Sequence, residues 1–419
     1  MTLKSKNCIV GQSGGPTVAI NASLSGVLQG ILESNHYDTV YGMVNGIEGL
    51  LQGKYLNLSQ RFDSIEKCHL LTHTPAMYLG SCRFKLPTCE HSEELYEELF
   101  NFFEEKEIGT VFYIGGNDSM DTVLKLSHYA KTTNKAVNII GIPKTIDNDL
   151  PVTDHTPGFG SAAKFIATSL LEIAHDTYIY NIPSVTIVEI MGRNAGWLTA
   201  ASALARTSYS PAPDLIYLPE VAFDKEQFLE DLKALLKVRK NIIVALSEGI
   251  KDLEGHYLSA SSNAVDAFGH KQLCGVGKTL ENLVKAELGC KVRSIELNVL
   301  QRAATHCSSL TDLEEAVAIG KYAVTLGAQG ETAQMVCYHR ISDAPYEIAF
   351  KGHPISEIAN LEKTVPPHWI TEAGNDITAE CLNYLLPLVQ GEPTIPYKKG
   401  IPLYASIDHL HTKGYFKKN

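Results

Sequence analysis

The stretch "NCIVGQSGGPTVAINASLSGVLQGILE" (residues 7–33) sets the architecture. Its first five residues, "NCIVG", form a short apolar run that reads as a strand. "QSGGPT" (12–17) has the composition of a tight loop, and "AINASLSGVLQGILE" (19–33) carries its apolar residues at helical spacing. The same strand, glycine loop and helix return at "IGTVFYI" (108–114), "GGND" (115–118) and "SMDTVLKLSHYA" (119–130). Between the two units lies the amphipathic "SEELYEELFNFFEEKE" (92–107), stopped by Gly109, and after them the buried run "AVNIIGIP" (136–143). Strands alternating with helices in this way predict an α/β fold with mainly parallel sheets.

A second α/β set follows. "PSVTIVEI" (183–190) reads as a strand, "MGRNAG" (191–196) as a loop and "WLTAASALA" (197–205) as a helix. "PDLIYLPE" (213–220) and "NIIVALSEG" (241–249) are strands flanking the helical "DKEQFLEDLKALLKVRK" (224–240). Past residue 340 the pattern weakens, and "KTVPPHWITEAGND" (363–376) reads as a Pro-rich surface turn or lid. There is no fixed-period repeat and no low-complexity tract. Two lobes are the natural division, with a boundary somewhere after Leu150.

The 419 residues suffice for two or three domains, each with its own core. A hydrophobic fraction of 44% and a charged fraction of 20% fit a globular chain. The formal charge of −11 argues against nucleic acid or acidic lipid as a partner. No apolar run approaches bilayer-spanning length, and the start of the chain lacks the apolar stretch of a secretory signal. Nine cysteines at irregular spacing, without a CxxC, predict reduced thiols in a cytoplasmic protein. If the ligand is an anion, positive charge has to be concentrated locally against the average.

Three strand ends carry unusual loops: "QSGGP" (12–16), "GGNDS" (115–119) and "PKTIDND" (143–149). In a doubly wound sheet, ligands bind outside the carboxyl ends of strands. Glycine turns there let backbone N–H groups approach a phosphate, and the following helix N-terminus adds a favourable partial charge. In the third loop, Lys144 is a point charge suited to a phosphate oxygen. Asp147 or Asp149 can take a proton from a hydroxyl nucleophile, or help hold Mg²⁺, which prefers oxygen ligands. Thr145 can hydrogen-bond a phosphate or the attacking hydroxyl. The bland alternative is an Asx-turn cluster with Lys144 paired to an aspartate on the surface.

Further candidates follow other strands: Arg193 in "MGRNAGW" and Glu248 in "SEG". Arg293 and Arg302 in "VRSIELNVLQR" can hold a second phosphate by forked hydrogen bonds, and Arg83 stands in "YLGSCRFK". Two lookalikes drop out. "GVGKT" (275–279) has Gln at position 272, where a Walker A loop requires glycine, so a helix start is expected there. Cys82, Cys89 and His91 crowd together but fit no zinc spacing.

The ordered set "GGPTVAINA", "GGNDS", "PKTIDND", "MGR", "SEG" and "QR" resembles the phosphofructokinase family, with matching motifs from about residue 7 to residue 304. The resemblance implies two Rossmann-like lobes with the active site in the cleft between them. Residues 1–158 plus about 301–355 would hold the phosphoryl donor, 159–300 the sugar phosphate, and 356–419 would pack on both as an extension. It implies transfer of a phosphoryl group to the 1-hydroxyl of fructose 6-phosphate, with Mg²⁺ as cofactor and a homodimer or homotetramer as the assembly. By this resemblance Asp147 is the base. Thr145, Asp149, Met191, Gly192, Arg193, Glu248, Arg293 and Arg302 surround the sugar phosphate. Gly15, Arg83, Gly115, Gly116, Asp118 and Ser119 hold the donor, with Asn117 and Asp118 as metal ligands.

Two positions bear on the donor. ATP-using members resemble "GGDGS" and "GTIDND", with glycine where this chain has Asp118 and Lys144. A carboxylate at the first position intrudes where the α-phosphate of a nucleotide would lie, and a lysine at the second fits a shorter, denser anion. Both are the pattern of the pyrophosphate-dependent branch. An ATP-dependent enzyme and a non-catalytic regulatory subunit of the same fold are the alternatives. Other departures stand out as well. Asn117 replaces a metal-binding aspartate, Ser184 replaces an arginine that reaches a neighbouring subunit's sugar phosphate, and Val299 replaces a histidine near that phosphate. Ser25 and Gln29 replace arginines of an allosteric nucleotide site, so no control by nucleotides is expected there.

Overall fold

The computed structural model describes residues 7–82, 84–259, 273 and 275–412. Arg83, and Gln272 of the Walker-like stretch, therefore lie outside the described residues. In chain order the main strands are β1 (Asn7–Gln12), β2 (Thr39–Met43), β3 (Tyr55–Asn57), β4 (Ile108–Gly115) and β5 (Asn138–Pro143). They continue with β6 (Ser184–Ile190), β7 (Leu215–Tyr217), β8 (Asn241–Ser247), β9 (Lys291–Glu296), β10 (Gln334–Asp343) and β11 (Tyr346–Pro354).

Two sheets result. The first has seven strands in the order β11-β10-β5-β4-β1-β2-β3, and the second has four in the order β7-β8-β6-β9. β4 is buried along its whole length, as are β6 and β8, which is why they read as continuous apolar runs rather than alternating ones. The first sheet is parallel through its centre and antiparallel only at its edges, β2 with β3 and β10 with β11. The second is parallel throughout.

This topology decides where a ligand can sit. β1 and β4 are neighbours, yet the chain leaves β1 toward β2 on one side and leaves β4 toward β5 on the other. The crevice opened by that divergence is the place where open α/β sheets bind ligands. The loop after β1 and the turn after β4 flank it, tied together by a hydrogen bond from Ser119 Oγ to Ser13 Oγ of 3.0 Å.

The chain returns to the first sheet through the helix Leu310–Ala328, which packs on Ile20–Ser34. The two backbones approach so closely that a Cβ on Gly26 would lie 2.0 Å from the Val317 carbonyl oxygen, and one on Gly320 2.3 Å from that of Ser23. Asp312 in the first turn of the returning helix reaches across to the helix Phe159–Tyr178. Its carboxylate accepts the Gly158 and Ser161 N–H groups at 2.8 and 3.0 Å, satisfying orphan donors at that N-terminus.

Two features depart from the expectation beyond residue 340. A hairpin of a ten- and a nine-residue strand, β10 and β11, occupies the sheet edge. β11 is only half-buried and carries Glu347, Lys351 and His353, so its apolar signal is diluted as in other edge strands. The Pro-rich segment is more than a surface turn: Val365 is buried, its N–H donates to Glu220, and Trp369 packs edge-on against Trp197 with ring centroids 5.9 Å apart. The Walker-like stretch starts the helix Val276–Leu288, whose Gly277 N–H donates to Glu189 at 2.8 Å. Ser25 and Gln29 are buried and bonded to each other at 3.0 Å, and Ser25 donates to the Cys68 carbonyl oxygen.

The glycine contacts between the two helices give a direct test. Gly26→Ala is expected to lower unfolding stability by about 1–3 kcal/mol, the usual cost of overpacking. Chemical denaturation read by circular dichroism checks it, and an unchanged midpoint would contradict the close approach.

Candidate active site

Loops from both sheets converge on one cleft of about 670 Å³. From β1 come Gly14, Gly15 and Thr17; from β4, Gly116, Asn117, Asp118 and Ser119; from β5, Lys144, Thr145, Asp147 and Asp149. From the second sheet, Met191, Arg193 and Asn194 follow β6 and Glu248 follows β8, while Arg302 ends the short 3-10 helix Asn298–Arg302 after β9. Each group thus sits at the carboxyl end of a parallel strand, and the two sheets present those ends to the same space.

The glycines of the β1 loop make room for cations. Gly14 has φ +83°, and a Cβ there would lie 3.3 Å from Lys144 Nζ. A Cβ on Gly15 would lie 3.3 Å from Arg302 Nη1. Lys144 is 2% exposed, and its ammonium donates to the Gly15 carbonyl oxygen at 2.6 Å. Its backbone N–H donates to the Gly115 carbonyl oxygen at 2.9 Å, which ties the β4 and β5 loops together. Gly115 itself belongs to the strand, and a side chain there would collide with Ser119.

The catalytic-type residues lie in the next turn. Asp147 N–H donates to Thr145 Oγ1 at 3.1 Å, and Asn148 takes the left-handed conformation with φ 53°, which asparagine tolerates. Across the cleft, Gly192 has φ +136° and its N–H donates to Glu248 at 3.3 Å, while Gln301 accepts the Met191 N–H at 3.1 Å. These are backbone supports for Met191 and Arg193. Arg193 Nε and Asp149 Oδ1 are buried without a hydrogen bond, the condition of groups waiting for a ligand.

Burial dominates the titration behaviour. It lowers Lys144 to about 7, with Asp147 opposing and Arg302 reinforcing the shift. It raises Asp147, against the pull of Lys144, Arg193 and Arg302. Asp149 rises to about 7, first from burial and then from the Asp147 charge. Glu248 also rises to about 7 from burial, with the Gly192 N–H opposing.

Three sequence expectations need comment. Arg293 is not in the cleft: it lies on β9 at the edge of the second sheet and pairs with Asp176 at 2.6 Å. Sequence position could not reveal this, because Arg293 lies within the strand whereas Arg302 lies past its end, in the 3-10 helix Asn298–Arg302. Asn117, expected as a metal ligand, has its carboxamide bonded within the chain. Its Oδ1 accepts the Asn360 N–H and its Nδ2 donates to the Leu361 carbonyl oxygen, both at 2.7 Å. Arg83 lies outside the described residues. Sequence reasoning missed Thr17, Asn194 and the segment Asn360, Leu361 and Glu362, all of which line the cleft. The last three come from far along the chain, where no local motif marks them.

Asp149 supplies a stability test. It ionises at 3.8 in the unfolded reference but at about 7 in the fold, so the folded state binds the extra proton between those values and loses stability as pH rises through them. Asp149→Asn in the ligand-free protein is therefore expected to gain melting temperature over wild type as pH rises from 4 to 7, and to hold that gain above. A gain that shrinks over this range would reverse the assignment.

The profile of the phosphofructokinase family matches residues 7–326. A pyrophosphate–fructose 6-phosphate 1-phosphotransferase of Halomonas elongata is 41% identical over 404 residues, covering 96% of each chain. One of Methylococcus capsulatus is 39% identical over 408 residues, covering 97% of this chain and 96% of its own. The crystal structure of pyrophosphate-dependent phosphofructokinase from Nitrosospira multiformis superposes with a TM-score of 0.86 at 39% identity, again over 96% of each chain. The matched region contains every strand-end loop that builds the cleft, and the chain belongs to the phosphofructokinase family.

Proposed function

We infer that this chain transfers a phosphoryl group from inorganic pyrophosphate to the 1-hydroxyl of fructose 6-phosphate, giving fructose 1,6-bisphosphate and phosphate. The observation that carries the donor assignment is the pair Lys144 and Asp118. Lys144 holds its ammonium against the Gly15 carbonyl oxygen at 2.6 Å, and Asp118 stands in the first turn of the helix Asn117–Thr132. A buried ammonium favours a compact, dense anion, and a carboxylate in that turn opposes the α-phosphate of a nucleotide.

In this reading Asp147 accepts the proton of the 1-hydroxyl as that oxygen attacks phosphorus. The bridging P–O bond of pyrophosphate breaks and phosphate leaves. Burial raises the Asp147 carboxyl and so strengthens it as a base. Arg193, Glu248 and Arg302 hold the sugar phosphate, with Thr145, Met191 and Asp149 around it, while Gly15, Gly116 and Ser119 cradle the donor. Catalysis is then positioning and charge stabilisation, and with pyrophosphate in place of ATP we read the reaction as running readily both ways.

Magnesium is the proposed cofactor, supplying charge neutralisation at the transferring phosphoryl group. The residues fit it: Asp118, Asp147 and Asp149 offer oxygens in one cleft, and Asp149 Oδ1 is buried without a partner. The donor lobe comprises residues 1–158 with about 301–355, the sugar lobe 159–300, and the extension 356–419. The proposed assembly is a homodimer or homotetramer. No helix among the described residues is long and apolar enough to cross a membrane, and their eight cysteines are free, in keeping with the cytoplasm.

The decisive assay supplies fructose 6-phosphate and Mg²⁺ with either pyrophosphate or ATP as sole donor. Turnover with pyrophosphate and little with ATP is expected, and Asp118→Gly with Lys144→Gly narrows the difference. Preference for ATP sinks the donor assignment, and no turnover with either favours a regulatory subunit. Asp147→Ser is expected to lower kcat by roughly 10²–10⁴-fold with KM for the sugar nearly unchanged.

A further inference from the structure

The segment Asn360, Leu361 and Glu362 lines the cleft, although it comes from the far side of β11 and matches none of the loops above. Its anchoring is unusual for a surface segment. Just before it, Ile358 and Ala359 are buried in the first lobe's core. Asn360 then takes the left-handed conformation, φ 64°, which turns the chain sharply over the first turn of the helix Asn117–Thr132.

Three hydrogen bonds hold it to that turn. The Asn360 N–H donates to Asn117 Oδ1 and Asn117 Nδ2 donates to the Leu361 carbonyl oxygen, each at 2.7 Å, while Asn360 Nδ2 donates to Asp121 at 2.9 Å. On its other side the segment reaches the second sheet. The Glu362 carboxylate accepts from Asn194 Nδ2 at 3.3 and 3.4 Å, and the Trp197 indole N–H donates to the Lys363 carbonyl oxygen at 3.0 Å. Beneath, the Lys363 N–H donates to the Asp149 carbonyl oxygen at 2.7 Å. The strap is therefore fastened to the β4 turn, the β5 loop and the β6 loop together.

We propose that this strap selects the phosphoryl donor by length, admitting a two-phosphate anion and excluding longer ones. The proposal rests on the reading of the cleft as a pyrophosphate-dependent phosphotransferase site. An anion seated against Gly14, Gly15, Lys144 and the N-terminus of the helix Asn117–Thr132 has Asp118 and the strap at its outer end. A third phosphate continues into the space that Asn360 and Leu361 fill, and it meets the Glu362 carboxylate besides. Asp118 opposes the same extension by charge, whereas the strap opposes it by occupying volume. Asn117, which the strap engages at both ends of its carboxamide, acts as the clasp and as a positioning residue.

The probe is inorganic tripolyphosphate, which adds one phosphate and no nucleoside. Its kcat/KM is compared with that of pyrophosphate in the wild type, in Leu361→Gly and in Asn360→Gly/Leu361→Gly, all with Asp118 in place. Leu361 is half-exposed, so the single variant keeps the core intact. The ratio of tripolyphosphate to pyrophosphate is expected to rise by at least about ten-fold in the double variant and by less in the single one. A purely structural strap lowers both donors together and leaves the ratio fixed, which overturns the proposal. So does a wild type that uses tripolyphosphate as well as pyrophosphate. If the wild type turns over no donor, the functional reading has failed by itself. Calorimetric binding of the two anions to the same proteins then delivers the ratio, and an unchanged ratio again rejects the strap as selector.

Discussion

The contact between the Lys144 ammonium and the Gly15 carbonyl oxygen is the constraint on which the site depends. An ammonium buried this deeply is costly unless polar partners surround it. Here one partner is a backbone oxygen, which requires the β1 loop to come within hydrogen-bond distance of the β5 loop. That approach favours glycine at position 14, where φ is +83°, and small size at position 15, because a Cβ at either would crowd Lys144 or Arg302. It also demands that β1 and β5 be held on either side of β4, which the strand order provides. Fold, loop composition and charge are thus parts of one arrangement.

The far end of the same loop is secured by a second buried cation. His155 lies between Asp154 and Glu315, at 2.8 and 2.7 Å, and stacks on Tyr338. Burial alone would lower its pKa, but the Glu315 and Asp154 carboxylates outweigh burial and raise it to about 9. Asp154 in turn pairs with Arg340 on β10, and its carbonyl oxygen accepts from Lys363 and from Tyr384. Between these two anchors Val152 sits at φ 70°, a conformation that a β-branched residue adopts only when its surroundings impose it. The strain falls three residues after Asp149, where the chain must turn back after presenting its carboxylates to the cleft.

How far the sequence disclosed this site depended on how locally each part is encoded. The Gly14–Gly15 turn, the Gly116–Ser119 turn and the run from Lys144 to Asp149 each follow an apolar strand directly, so their position at a sheet edge could be read from the strand alone. Arg302 and Arg293 lie nine residues apart and looked equivalent, yet only Arg302 enters the cleft, because the chain leaves β9 between them. The strap could not be read at all. Its partner Asn117 is 243 residues away from Asn360, and neither asparagine belongs to a pattern that implies the other. Likewise the β10–β11 hairpin was hidden because an edge strand mixes charged with apolar residues.

The charge question raised by an acidic chain binding an anion has a different answer from the one composition suggests. Positive charge is not amassed by excess. The cleft contains Lys144, Arg193 and Arg302, but also Asp118, Asp147, Asp149, Glu248 and Glu362. Burial raises Asp149 and Glu248 to about 7, so near neutrality these two carboxyls retain protons that exposed ones would have lost. The same burial lowers Lys144 to about 7, leaving it poised between its two forms. An arriving anion favours the protonated ammonium, while an arriving metal ion favours the ionised carboxylates. Binding of either ion is therefore linked to proton uptake or release at groups already in place.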